Sequence, residues 1–434
     1  MSNETRHVGI RVARAIVCCL LSIPFAAPAV VQPSAGDVQA LYESRRWFEL
    51  RDAIAGRRVD PLYEGAVAVA FNQTAAAERA LKLALDRAAT PAQANDARGL
   101  LAILYLRAGR SGDAARLLDD ILAAAPDRVD VAQMRATYGA WRGRPNLRIA
   151  ARRRASVPCS VDASGVRIPL IVNGQPVRWQ LDTGASISVL SAAEARMLGI
   201  EPDGPAGRVG DFAGGEAPAQ TGVARRVVLG GTELRDVTML VLPDAQPPWT
   251  DAAPGSRGAI GLPMILALGS VHWTRTGTCT MPAPNSNPRQ ESANMVLDWF
   301  TPVTRVQFQG TPLDLMLDTG NVGGSQLWER FAREFAPLLA ARGQPGTKRL
   351  TQVGGAAEHA VVVLPELRLR VAGFDTMLSP ANVFRAPVGQ EPLHGNLGLD
   401  LLREADAVTI DFRAMSLTLH RSRGGAVAHL PRER

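Results

Sequence analysis

One pattern constrains this chain more than any other, and it occurs twice. Residues 179–186 read Trp179-Gln180-Leu181-Asp182-Thr183-Gly184-Ala185-Ser186, and residues 315–321 read Leu315-Met316-Leu317-Asp318-Thr319-Gly320-Asn321. Each is an apolar run ending in Asp-Thr-Gly, and the two aspartates lie 136 positions apart. A lone three-residue motif supports no site by itself. Here the surroundings repeat as well. Residues 166–172 read as a strand, Asn173-Gly174-Gln175-Pro176 as a hairpin turn, and 177–181 as the return strand. Residues 304–308, Gln309-Gly310-Thr311-Pro312 and 313–317 repeat that order. Gly174 and Gly310 each precede their aspartate by eight residues.

The agreement continues downstream. Residues 191–199 predict a short helix with a serine cap and a terminal glycine; a longer helix over 325–342 takes its place in the second copy. Each copy then has a glycine-rich tip, Gly214-Gly215 and Gly354-Gly355, followed by a predicted strand pair over 225–241 or 361–383. Each ends in an apolar step onto glycine, Ala259-Ile260-Gly261 and Asn396-Leu397-Gly398. The pattern divides the C-terminal part of the chain into lobes at 157–281 and 295–422, with a polar, proline-rich linker at 282–294 and a tail at 423–434.

The N-terminal part has another texture. Residues 37–142 read as helix after helix, with apolar positions at helical spacing, small residues between them, and Gly and Pro as punctuation. Pro61, Pro91 and Pro126 bracket a 34-residue period, so the segment resembles a short tetratricopeptide-type array of two to three repeats. An unrelated helical bundle remains the alternative. On either reading it is a packing or interaction module that could take a protein partner. Residues 143–156, with Gly143, Pro145 and Arg152-Arg153-Arg154, read as a linker.

Residues 1–29 have the layout of a secretory signal peptide: Arg6, His7, Arg11 and Arg14, an apolar run over 15–25, then Ala27-Pro28-Ala29. An uncleaved anchor is the alternative. No stable membrane span is expected once the signal is removed. The expected location is therefore periplasmic or secreted. Cys159 and Cys279 then remain, and in an oxidising compartment one disulfide is available to them. The net charge of +7 invites a nucleic-acid reading, but lysine stands only at 82 and 348, the arginines are scattered, and aromatics are 5%. A nucleic-acid face needs clustering with interleaved aromatics, so none is expected. The six histidines have no metal-ligand spacing. Neither a metal nor another cofactor is implied.

Paired Asp-Thr-Gly loops with an apolar-apolar-Gly step late in each half resemble a retropepsin-type aspartic protease, with both lobes in one chain. The resemblance covers about residues 157–419. It implies an all-β bilobal acid-protease fold behind the α-helical repeat region. It further implies an exported endopeptidase acting on peptide or protein substrates, with Asp182 and Asp318 as its catalytic pair. Two carboxyls at hydrogen-bonding distance cannot both ionise, so they share a proton: the ionised one activates water and the protonated one polarises the scissile carbonyl. By the same resemblance Thr183 and Thr319 bond across the axis. Gly184, Ser186 and Gly320 support the loops, and Gly261 and Gly398 pack beneath. Gly214, Gly215, Gly354 and Gly355 form flaps over an extended peptide, and a Cys159–Cys279 disulfide closes the first lobe, two buried free thiols being the alternative. The chain departs from the family at Asn321-Val322-Gly323-Gly324-Ser325, an altered second loop, and it lacks an arginine after Gly261 and Gly398. Two alternatives follow. One is a weak or inactive peptide-binding scaffold on the same fold. The other has each lobe pairing between chains.

Overall fold

A computed structural model describes residues 35–139, 143–210, 216–246, 249, 252–282, 293–352, 355–387 and 392–421. The predicted signal peptide, the tail after residue 422, most of the 282–294 linker, and Gly214, Gly215 and Gly354 lie outside these residues.

Seven helices run from Ala35–Glu43 to Val129–Gly139. Their starts follow local chemistry. Asp60 accepts the N–H of Leu62 and Thr90 that of Gln93, each with proline opening the helix behind it, at Pro61–Ala70 and Pro91–Arg107. Gly65 lets two helices meet closely, since a Cβ there would lie 2.5 Å from Leu81 Cδ2.

Beyond the helices the described residues are mostly strand, in three sheets of nine, five and ten strands. The nine-stranded sheet is built from the first β half and the ten-stranded sheet from the second. The five-stranded sheet draws on both. Ala155–Pro158, Thr278–Met281 and Ser270–Thr274 pair in succession, then Ala407–Asp411 and Ser416–His420 from the end of the chain complete it. Cys159 and Cys279, at the first edge of that sheet, form a disulfide with Cα atoms 5.7 Å apart.

The two large sheets share one local plan. Strand Gln175–Leu181 pairs antiparallel with Gly165–Val172 and parallel with Gly258–Ile260. Strand Thr311–Leu317 pairs antiparallel with Thr301–Phe308 and parallel with Gly395–Leu397. The hairpin turns use left-handed residues at both corners, Asn173 (φ 49°) with Gly174 (φ 90°), and Gln309 (φ 50°) with Gly310 (φ 82°). That backbone suits the twist of the flanking strands and favours Asn-Gly.

Three sequence expectations are corrected here. The 143–156 linker is partly strand: Arg148–Arg152 pairs antiparallel with Thr232–Leu242, and Ala155–Pro158 joins the five-stranded sheet. Solvated backbone without an apolar period still adds to a sheet edge, because its N–H and C=O groups are what pair. The 325–342 helix is instead a short strand, Gln326–Leu327, followed by two helices, Glu329–Glu334 and Ala336–Arg342, broken at Phe335 (ψ 31°) just ahead of Pro337. The second strand pair is four segments, Gly355–Leu364, Leu367–Val371, Phe374–Leu378 and Ala381–Phe384, divided by turns that include Ala372 (φ 49°) and Gly373 (φ 85°).

The helical region packs on both β halves. Helix Pro91–Arg107 touches helix Leu262–Leu268, and helix Pro61–Ala70 touches strand Met295–Asp298. Arg107 is 2% exposed and donates to Val69 O (2.8 Å), Leu297 O (3.2 Å) and Trp299 O. Asp298, also buried, accepts from Trp47 Nε1 and Arg45 Nη1, both at 3.0 Å. Arg305 bridges Glu49 and Asp314. A buried guanidinium needs such partners, since an unpaired charge in an apolar interior costs several kcal/mol.

Candidate active site

Asp182 and Asp318 leave the ends of the two parallel-paired strands. The N–H of Asp182 donates to Ile260 O (3.1 Å) and that of Asp318 to Leu397 O (3.0 Å). These bonds carry the two loops to a common junction within one chain.

The junction is locked reciprocally. Thr183 N donates to Thr319 Oγ1 and Thr319 N to Thr183 Oγ1, both at 3.0 Å. Each hydroxyl donates onward at 2.7 Å, Thr183 to Leu317 O and Thr319 to Leu181 O. All four groups are buried, so no water competes for them. Each glycine then faces the other loop's carboxyl. A Cβ on Gly184 would lie 2.5 Å from Asp318 Oδ1, and one on Gly320 would lie 2.3 Å from Asp182 Oδ1. Any side chain at either position would push a carboxyl away.

The inner oxygens are held by backbone. Asp182 Oδ1 accepts from Gly184 N (2.9 Å) and Ala185 N (3.1 Å), and Asp318 Oδ1 from Gly320 N (2.9 Å) and Asn321 N (3.1 Å). The two carboxyls are coupled in charge, and burial pushes both above the usual carboxylate range. Asp182 is pushed up to about 7, by burial first and by the charge of Asp318 second. On Asp318, burial is opposed first by the amide of Asn396 and then by the loop N–H groups. Such a pair carries a single proton over a range of pH, so it presents one acid and one base to the same point in space.

Gly261 and Gly398 lie against the loops. A Cβ on Gly261 would meet the Ile187 carbonyl carbon at 2.3 Å, and one on Gly398 would meet Asn321 O at 2.9 Å. Their N–H groups donate to Ser188 Oγ (2.9 Å) and Ser325 Oγ (2.8 Å). Ser186, read in the sequence as loop support, makes no hydrogen bond among the described residues. Ser188, two positions on, carries that contact. The altered second loop has one more residue between aspartate and serine, and Asp400 secures it by accepting from Ser325 N and Oγ at 2.9 and 2.7 Å.

Sequence reasoning did not single out Ser188, Ser325, Asn396 or Asp400. The one visible signal was an asymmetry, Asn396-Leu397-Gly398 against Ala259-Ile260-Gly261. Of the four glycines at the expected flap tips only Gly355 (φ 132°) is described. Strands Asp203–Gly210 and Glu216–Leu229 form one hairpin, and Gln344–Gln352 and Gly355–Leu364 the other. Lys348 Nζ, on the second hairpin, donates to Gly323 O at 2.9 Å and ties that hairpin to the Asp318 loop. Among the described residues no three His, Cys, Asp or Glu side chains gather as metal ligands.

Two carboxyls brought together on loops bonded to each other through paired threonines are the arrangement expected of an aspartic-protease site. Residues 168–264, which span the first loop and its Gly261 step, match the family model described as Aspartyl protease. Among solved structures it is similar to a retropepsin-like aspartic protease from Rickettsia conorii, at 14% identity over 30% of this chain and 93% of that chain, with a TM-score of 0.22. No curated protein matches the chain.

Proposed function

We propose that the protein is an exported aspartic endopeptidase with two lobes in one chain. In this reading it hydrolyses peptide bonds with a water activated between Asp182 and Asp318. The observation that carries the proposal is the carboxyl pair itself, Asp318 buried and Asp182 half-buried, each set against the other loop's glycine at a junction where Thr183 and Thr319 exchange bonds. The ionised carboxyl takes a proton from water as the oxygen attacks the scissile carbonyl. The protonated carboxyl donates to the carbonyl oxygen as charge develops there. A proton then passes to the leaving amine, and the pair returns to its single-proton state. The two hairpins act as flaps, and an extended peptide beneath them pairs through its backbone. The helical region acts as a tetratricopeptide-like module docked on both lobes, and residues 1–29 direct export.

A peptide-library digest between pH 4 and 7, with and without pepstatin, tests the activity. Cleavage that pepstatin blocks is the expected result. Asp182→Asn should lower it by about 10²–10⁴-fold while leaving the melting temperature near that of the parent. Undiminished cleavage in that variant would remove the pair from the mechanism.

A further inference from the structure

The loops of Asp182 and Asp318 agree bond for bond on the inner oxygens and differ on the outer ones. Asp318 Oδ2 accepts from Asn396 Nδ2 at 3.0 Å. The position that answers Asn396 in the first β half is Ala259. Each stands two residues before the packed glycine, and each pairs with the residue two before its aspartate, Asn396 with Met316 and Ala259 with Gln180. Alanine offers no side-chain donor.

Asn396 is fully buried, and its amide has a defined orientation. Its Oδ1 accepts from Asn321 Nδ2 at 3.1 Å, so its nitrogen must turn toward Asp318. Asn321 is itself held: its Nδ2 also donates to Gly324 O (3.0 Å), and its Oδ1 accepts from Gly323 N (3.1 Å). The unusual second loop thus has a structural product. It supplies the asparagine that aims Asn396.

An N–H that donates to a carboxylate favours the ionised form. When two carboxyls share one proton, a donor on one of them decides where the proton rests. We propose that Asn396, aimed by Asn321, is a positioning residue that keeps the negative charge of the pair on Asp318 and the proton on Asp182. The proposal rests on the aspartic-protease reading of the site, where it makes Asp318 the base toward water and Asp182 the acid toward the carbonyl. Among the described residues few charged groups bear on the pair. Asp182 and Asp318 face each other. Asp400, on the helix packed beneath, is spent on Ser325, and Lys348, on the hairpin, donates to Gly323 O. The directions of titration agree, since Asp182 is the carboxyl raised to about 7 and the Asn396 donor is the first counterweight to burial on Asp318.

The test is a carboxyl titration by NMR on full-length protein carrying ¹³C-aspartate. Asp182→Asn isolates Asp318, and Asp318→Asn isolates Asp182. Asp318 should titrate below Asp182. Adding Asn396→Leu, of similar volume, should raise Asp318 by about one to two pH units. Asn321→Ala, which leaves Asn396 in place but unaimed, should raise it by less. In the otherwise unmodified enzyme the acid limb of kcat/KM should move upward with Asn396→Leu. A purely structural role would lower the rate without moving that limb. An Asp318 titration unchanged in Asn396→Leu or Asn321→Ala protein that melts like the parent overturns the proposal, as does Asp182 titrating below Asp318. A protein that cleaves no peptide would instead defeat the protease reading, and the titration would still decide the role of Asn396.

Discussion

Thr183 and Thr319 hold each other: the backbone N–H of each donates to the hydroxyl of the other at 3.0 Å. Because each hydroxyl then donates to a carbonyl of the opposite strand, four buried bonds cross the junction. Neither loop can slide without leaving donors and acceptors stranded on both.

Thr183→Val keeps the shape and removes the hydroxyl. It strands the N–H of Thr319 and the carbonyl of Leu317, each worth about 1–3 kcal/mol when buried and unpaired. The expected loss in urea unfolding is about 2–4 kcal/mol. Cleavage should fall by about 10²-fold as the carboxyls drift out of register. Thr183→Ser retains both bonds and should remain close to the parent. Equal behaviour of the Val and Ser variants would show that the hydroxyl bonds do not hold the junction.

The pH response follows from the burial of the pair. On the proposed mechanism, activity needs one proton on the two carboxyls and is lost when the second ionises. With Asp182 pushed up to about 7, cleavage should persist toward neutral pH and decline above it. The sign for stability runs the same way. A carboxyl raised above its unfolded value of about 3.9 binds its proton more tightly when folded. Its contribution is full below about pH 4 and is lost as pH rises through about 7. Urea midpoints should therefore fall between pH 4 and 7 in the parent, and fall less in Asp182→Asn. A kcat/KM profile already flat at zero by pH 5 would contradict the raised value.

Arg107 is the polar centre of the contact between the helices and the second β half. Arg107→Met keeps the apolar stem and removes the donor to Leu297 O and Trp299 O, while Val69 O keeps the N–H of Asn72. The expected cost is about 2–4 kcal/mol, with helices 35–139 becoming open to limited proteolysis before the β region does. Simultaneous cutting of both regions, at the parent's rate, would show that the contact is not held by this side chain.

The parts legible in the sequence were those encoded locally. Asn173-Gly174 and Gln309-Gly310 specify their turns by backbone conformation alone, and the apolar runs behind them can only be strands that deliver Asp182 and Asp318. Ser191 and Gly199 mark both ends of helix Ala192–Met197 for the same reason. What escaped depends on partners far along the chain. Asn396 reads as an odd polar residue in an apolar step until it meets Asp318, 78 positions away. Arg107 reads as the basic last turn of a helix until Leu297 and Trp299 close over it. The strand Arg148–Arg152 has no period of its own, and only the free edge of Thr232–Leu242 makes it one. Phe335, with Pro337 behind it, did carry a local signal, and the even apolar spacing on either side masked it.

The bond from Asn396 to Asp318, with Ala259 in the answering place, bears on why such a site is written in one chain. In an assembly of two identical subunits about a two-fold axis, every side chain is present twice, so a donor granted to one aspartate is granted to its mate. A single polypeptide is free of that constraint. It can spell asparagine on one side and alanine on the other, and so set the two acidities separately. Inequality between the carboxyls becomes a heritable variable, adjustable by one codon without disturbing the threonines that hold the pair together.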